Sequence, residues 1–161
     1  MTDTLNIAFA QVNPTVGAID ANRALALDIA TRCASENVDL VLFPELFICG
    51  YPPEDLVLKD AFVEASMAAI RELAKETAGG PALLVGTPWM EGDCLFNAVV
   101  LLDAGEVSAV RCKYDLPNYG VFDEKRVFSA GPMPGPINFR GVRIGVPICE
   151  DIWNDEVCET L

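Results

Sequence analysis

The stretch "LFNAVVLLDAGEVSAVRCKY", residues 95–114, holds two apolar runs separated by Ala104-Gly105. Two strand-like runs joined by so short a polar break read as a β-hairpin, with strands over 95–103 and 107–114. Working outward, "ALLVGTPW" at 82–89 supplies a third strand on the N-terminal side. Further back the pattern alternates. "LNIAFAQV" (5–12) reads as a strand, "NPTVG" (13–17) as turn chemistry, and 22–36 as a helix. "VDLVLFPEL" (38–46) reads as a buried strand that stops at Pro44, and "CGYPPEDL" (49–56) as a loop leading to a helix over 61–77 that "GGP" (79–81) ends. On the C-terminal side, residues 115–136 are rich in Pro, Gly, Asp and Asn, a loop long enough to carry function, before "VRIGVPI" (142–148) resumes the sheet. Strands alternating with helices and followed by a hairpin predict an α/β layered sheet.

Composition narrows the classes of function. A chain of 161 residues with 52% apolar content is one globular domain with ample core. Eleven basic and twenty-four acidic residues give a net charge of −13, which repels a nucleic-acid backbone or an anionic membrane surface. The stretch "MTDTLNIAFAQVNP" has no basic n-region and no apolar run of signal-peptide length, and no segment approaches a membrane span, so a cytoplasmic location is expected. Six cysteines, at 33, 49, 94, 112, 149 and 158, include no C-x-x-C pair and are expected to be reduced. Cys33 and Cys94 read as buried small hydrophobes, Cys112 as part of a strand, and Cys158 as part of a helix.

Cys149 has a different setting. In "RIGVPICEDIW" (143–153) it ends an apolar run and precedes Glu150 and Asp151, whose charges disfavour the thiolate. The chain contains no histidine. Histidine-based triads, Cys-His pairs and histidine metal sites are thereby excluded. Glu45 and Cys149 stand just past strand ends and Lys113 near one, and open α/β sheets gather ligand sites at strand C-termini. Taken singly, an acid after a strand or a solvated strand-end lysine explains Glu45 or Lys113 equally well.

Three longer segments, "FPELFICGYPPEDL" around Glu45, "KYDLPNYGVFDEKRVF" from Lys113 and "GVPICEDIW" around Cys149, together with "AQVNPTVG" at 10–17, resemble in order the signature segments of the nitrilase, or carbon-nitrogen hydrolase, superfamily. The nearest likeness is to the glutaminase domain of glutamine-dependent NAD synthetases. The resemblance implies a fold, the N-terminal portion of a four-layer αββα sandwich, with residues 1–161 forming a C-terminally incomplete hydrolase domain and the synthetase domain absent. It implies a catalytic triad of Glu45, Lys113 and Cys149, with Glu124 as an additional active-site glutamate. Glu45 would serve as general base and then acid, and Lys113 would favour the thiolate and face the oxyanion. The Glu150 backbone N–H would be the second oxyanion donor.

The implied reaction is hydrolysis of the glutamine side-chain amide through a cysteine thioester. It needs no metal or organic cofactor; ATP and Mg belong to the absent synthetase domain, the partner that receives ammonia. Tyr119 is a candidate substrate contact. Beside these stand plainer readings: a Glu124 salt bridge to Lys125 or Arg126, and Tyr119 as loop packing. Val127 and Ala130 replace residues common in the family, which leaves the loop shape after Glu124 open. A non-catalytic assembly module, an amidase for another small amide, and a flavodoxin-like domain suggested only by the βα alternation remain alternatives. An incomplete sandwich is also expected to leave an apolar sheet face bare and to favour homo-oligomers.

Overall fold

The computed structural model describes residues 4–161. The start of the N-terminal stretch, Met1–Asp3, lies outside the described residues. Five strands form one sheet in the order β1 (Ile7–Phe9), β2 (Leu40–Leu42), β3 (Ala82–Glu91), β4 (Cys94–Asp103) and β5 (Glu106–Cys112). The first three run parallel, each crossover carrying a helix: α1 (Ile19–Ser35) between β1 and β2, and α2 (Asp60–Glu76) between β2 and β3. The last three are antiparallel. The hairpin expected at Ala104-Gly105 is present. Both residues have positive φ, 51° and 90°, the backbone that matches a two-residue turn to strand twist.

Both helices bury one stripe. In α1 the buried positions Asn22, Ala26, Ile29 and Ala30 recur at helical spacing, and in α2 so do Val63, Ser66, Ala69, Ile70, Leu73 and Ala74. They cover one face of the sheet, in a core with Val41, Leu83, Val85, Val100 and Leu102. Asn22 is buried by design of the loop before it: its amide accepts from the Thr15 N–H and donates to the Thr15 and Ile48 carbonyls, tying the 13–18 turn to the segment after Glu45.

The opposite face is organised differently from expectation. Val142–Ile144 (β7) does not rejoin the main sheet. It pairs with Ile137–Phe139 (β6) in a separate antiparallel ribbon, turned at Arg140 and Gly141, both at positive φ. Residues 145–148 form no strand, because Pro147 has no N–H to give a ladder and the Ile148 N–H is taken by the Asp151 carboxylate. The ribbon and Ile148 pack on Leu40, Leu84, Val99 and Leu101. The edge strand β1 stays open on this face, with Ile7 45% and Phe9 77% exposed. The 115–136 segment also contains a one-turn helix, α3 (Glu124–Val127). After a 3₁₀ turn at Cys149–Trp153 the described chain ends in α4 (Asp155–Thr160), which carries Cys158.

All six cysteines are free thiols. Cys112 is buried and Cys33 half-buried against the helix-side core. Cys94 corrects its reading: it is exposed, since β4 begins at that residue directly after the Gly92-Asp93 turn.

Gly86 on β3 seats the turn after β2. A Cβ there would lie 2.3 Å from the Leu46 nitrogen and 2.5 Å from the Pro44 oxygen. Backbone cannot yield as a side-chain tip can, so Gly86→Ala is expected to lower stability by about 1–3 kcal/mol or more in denaturant titration. Gly79→Ala, where the added Cβ meets nothing within 4 Å, should leave the midpoint nearly unchanged.

Candidate active site

The Lys113 ammonium is the centre of the site. Lys113 follows β5 directly and has no exposed surface. Its Nζ donates to Glu45 Oε1 at 2.7 Å and to Glu124 Oε1 at 2.8 Å. Glu45 comes from the turn after β2, where Leu46 adopts a φ of 50°, and Glu124 opens α3. Asn97 on β4 completes the cluster, donating through Nδ2 to Glu45 Oε1 at 2.7 Å and to Glu124 Oε2 at 3.3 Å. Burial alone would lower the proton affinity of Lys113. The charges and hydrogen bonds of Glu45 and Glu124 outweigh it and hold the ammonium above the ordinary lysine value. Burial raises the Glu124 carboxyl, an effect that Lys113 opposes and Glu45 reinforces. The Glu124 partner is therefore Lys113; Arg126 is held by Asp123, Asp55 and Glu54 instead, fixing α3 to the 3₁₀ turn at Glu54–Leu58.

Cys149 sits at a sharp corner between the extended 145–148 segment and the Cys149–Trp153 3₁₀ turn, with φ at 46°. A left-handed conformation at a residue other than glycine costs on the order of 1–3 kcal/mol and is kept where the surroundings impose it. The corner leaves Cys149 exposed. Glu45 and Cys149 both line a cavity of about 160 Å³ walled by Leu84, Ala98, Val99, Pro147 and Ile148. Burial first, then the Glu45 and Glu124 charges, push the thiol above its ordinary value; Lys113 pulls the other way and is outweighed. Lys113 alone acts toward the thiolate, and burial together with the two carboxylates outweighs it.

The acidic neighbours of Cys149 behave differently from one another. Asp151 is fully buried, and its charge is engaged by Arg111 at 3.1 Å and by backbone N–H groups. The Glu150 carboxylate accepts from the Tyr119 hydroxyl, with both oxygens at 3.0 Å, and this bond raises the Tyr119 phenol. Tyr119 is 58% exposed, its ring edge-on to Phe122. The Glu150 N–H stands in the first turn of the 3₁₀ segment, where helical N–H groups lack intrahelical partners. Among the described residues no group of three His, Cys, Asp or Glu is arranged to hold a metal ion, and no helix is long and apolar enough to cross a membrane.

Three contributors were not singled out in the sequence. Asn97 had a signal, a lone amide inside "LFNAVVLL", where a buried polar group must find partners. Tyr51 had none; it lines a cavity with Glu124, and burial first, then Glu45 and Glu124, push its phenol up to about 12. Arg111 could not be paired with Asp151 across forty positions from sequence alone.

With this geometry described, comparison with known proteins is informative. A profile of the carbon-nitrogen hydrolase family matches residues 6–161. The chain is 43% identical over 161 residues to a glutamine-dependent NAD(+) synthetase of Rhodobacter capsulatus, covering 100% of this chain and 29% of that protein. The corresponding protein of Thermotoga maritima is 38% identical over 151 residues, covering 93% and 26%. The fold superposes on a glutamine-dependent NAD+ synthetase from Acinetobacter baumannii, in complex with ADP, with a TM-score of 0.85 at 33% identity over 95% of this chain and 29% of that one. It superposes on an amidase from Nesterenkonia sp. with a TM-score of 0.82 at 28% identity over 97% and 59%. The chain thus spans under a third of the length of these synthetases. The profile match over nearly every described residue, and backbones shared with both a synthetase and an amidase, make this chain a member of the carbon-nitrogen hydrolase family.

Proposed function

We propose that the chain hydrolyses the side-chain amide of glutamine through a thioester on Cys149, releasing ammonia for the ATP-dependent amidation of deamido-NAD. That second reaction, with its ATP and magnesium, is assigned to a synthetase domain or subunit outside residues 1–161. The observation that carries the reading is the buried Lys113 ammonium clamped by Glu45 and Glu124 beside an exposed thiol. The synthetase relatives, which are glutamine-dependent by name, support glutamine as the amide.

Each step follows from the resting charges. Burial and the Glu45 and Glu124 charges hold the thiol's proton more tightly than usual, and it passes to Glu45 as sulfur attacks the carboxamide carbon. Glu45 Oε1 already accepts from Lys113 and Asn97, which leaves Oε2 to take the proton. The carbonyl oxygen becomes an oxyanion between the Lys113 ammonium and the Glu150 N–H; one such donor is worth about 3 kcal/mol of transition-state stabilisation. Collapse breaks the C–N bond, and Glu45 returns its proton to the departing ammonia. Water then attacks the thioester, giving a proton to Glu45 that is passed back to the sulfur as glutamate leaves. Glu124 holds Lys113 in place throughout, and Tyr119, bonded to Glu150 beside Cys149, is a candidate substrate contact.

An amidase for another small amide is the second reading. One variant of the Nesterenkonia amidase is described as showing covalent addition of the acetamide moiety of fluoroacetamide at its active-site cysteine. Ammonia release from glutamine compared with acetamide separates the two. The proposal expects glutamine to be preferred and Cys149→Ala to lower release by on the order of 10³-fold or more. A folded chain that releases no ammonia from either amide would leave only the assembly-module reading.

The pH dependence has a worked sign. Because Glu45 raises the thiol and Lys113 lowers it, Glu45→Gln should move the alkylation profile of Cys149 to lower pH, and Lys113→Met should move it higher. Glu45→Gln should therefore label faster at neutral pH while losing ammonia release. Iodoacetamide labelling read by peptide mass spectrometry checks this, and parallel losses of labelling and turnover would refute Glu45 as the base.

A further inference from the structure

The Asp151 carboxylate has four donors, and they come from both sides of the site. Oδ1 accepts from the N–H groups of Tyr114 and Asp115, at 3.0 and 2.8 Å. Oδ2 accepts from the Ile148 N–H at 3.1 Å and from Arg111 Nη2 at 3.1 Å. Lys113 lies between Arg111 and Tyr114 in sequence, and Cys149 lies between Ile148 and Asp151. One buried side chain therefore grips the backbone immediately after Lys113 and immediately before Cys149, and the Arg111 side chain two residues before Lys113. Arg111 is itself anchored, its Nη1 donating to the Cys112 carbonyl. Asp151 has no exposed surface and Arg111 5%, so neither bond competes with water.

We propose that Asp151 is a positioning residue for the reaction of Cys149: its carboxylate, together with Arg111, locks the nucleophile's corner to the end of β5 and so keeps the thiol within the field of the Lys113 ammonium. The proposal rests on the reading of Cys149 and Lys113 as the reacting pair. It differs from a merely structural buried ion pair in one respect. A structural pair changes stability when it is broken; a positioning clamp also changes how strongly Lys113 acts on Cys149. The chemistry of the clamp explains its composition. A carboxylate is the one side-chain type that accepts four hydrogen bonds, and Arg111 offsets its charge two residues from a thiol that must give up a proton.

The test is a double-mutant cycle on the rate at which iodoacetamide labels Cys149, with exposed Cys94 as an internal reference. Four chains are compared: the parent, Lys113→Met, Asp151→Asn and the double variant. In the parent background Lys113→Met should slow labelling about fivefold or more; in the Asp151→Asn background its effect should fall below about twofold. An equal Lys113→Met ratio in both backgrounds overturns the proposal, as does the absence of a Lys113→Met effect in the parent. Circular dichroism establishes folding. If Asp151→Asn does not fold, Asp151→Asn with Arg111→Met removes the stranded guanidinium and takes its place in the cycle; failure of both to fold assigns Asp151 to the fold alone and overturns the proposal. Alkylation consumes no amide, so a chain that shows the coupling yet releases no ammonia counts against the proposed hydrolysis and not against the clamp.

Discussion

An ammonium with no exposed surface has to be surrounded by acceptors, and the need of Lys113 for them organises this molecule. Moving such a charge out of water carries a penalty of several kcal/mol, recovered only with close opposite charge and full hydrogen bonding. Glu45 and Glu124 supply both, and Asn97 holds the two carboxylates in register from the neighbouring strand. These four residues come from the turn after β2, from β4, from the end of β5 and from α3. The cluster thus joins segments that the sheet alone would leave independent, and the one-turn helix that carries Glu124 is pinned a second time by Arg126.

The same charge balance sets the chemistry. Burial first, and then two carboxylates against one ammonium, raise the Cys149 thiol above its ordinary value. In the proposed reaction such a thiol is not a free thiolate open to any passing electrophile. Under that proposal it reacts when a carbonyl arrives over it and Glu45 takes the proton. Asp151 and Glu150, adjacent in sequence, would have deepened the negative field had both been free; burial against Arg111 removes one, and the other is turned to Tyr119.

The order of strands and helices through β5 was legible, because apolar runs broken by Gly, Pro and Asn report burial directly. Glu45, Lys113, Glu124 and Cys149 were legible as a set only from the resemblance of long segments, since each residue alone has an ordinary structural explanation. The structure brings Glu45, Lys113 and Glu124 into direct contact, and Glu45 and Cys149 line one cavity. What escaped depends on partners distant in sequence. "VRIGVPI" carries the same apolar signal whether it joins the main sheet or folds into a ribbon, and the choice rests on the positive-φ turn at Arg140-Gly141 and on Asp151 claiming the Ile148 N–H. Asp151 was read from its neighbour Cys149, whereas its behaviour is decided by Arg111 on β5. Cys94 was read by residue type, and its place at the first residue of β4 decided its exposure.

Side-chain nitrogen resonances of ¹⁵N-lysine-labelled protein test the central interaction most directly, with Lys113 assigned by comparison with Lys113→Met. Lys59, Lys75 and Lys125 are exposed and serve as internal references. A Lys113 ammonium held by Glu45 and Glu124 should keep its charged shift past the pH at which a free lysine, about 10.4 in model peptides, loses its own. A Lys113 signal that titrates at or below the ordinary lysine value would contradict the buried, doubly clamped charge on which the whole site is built.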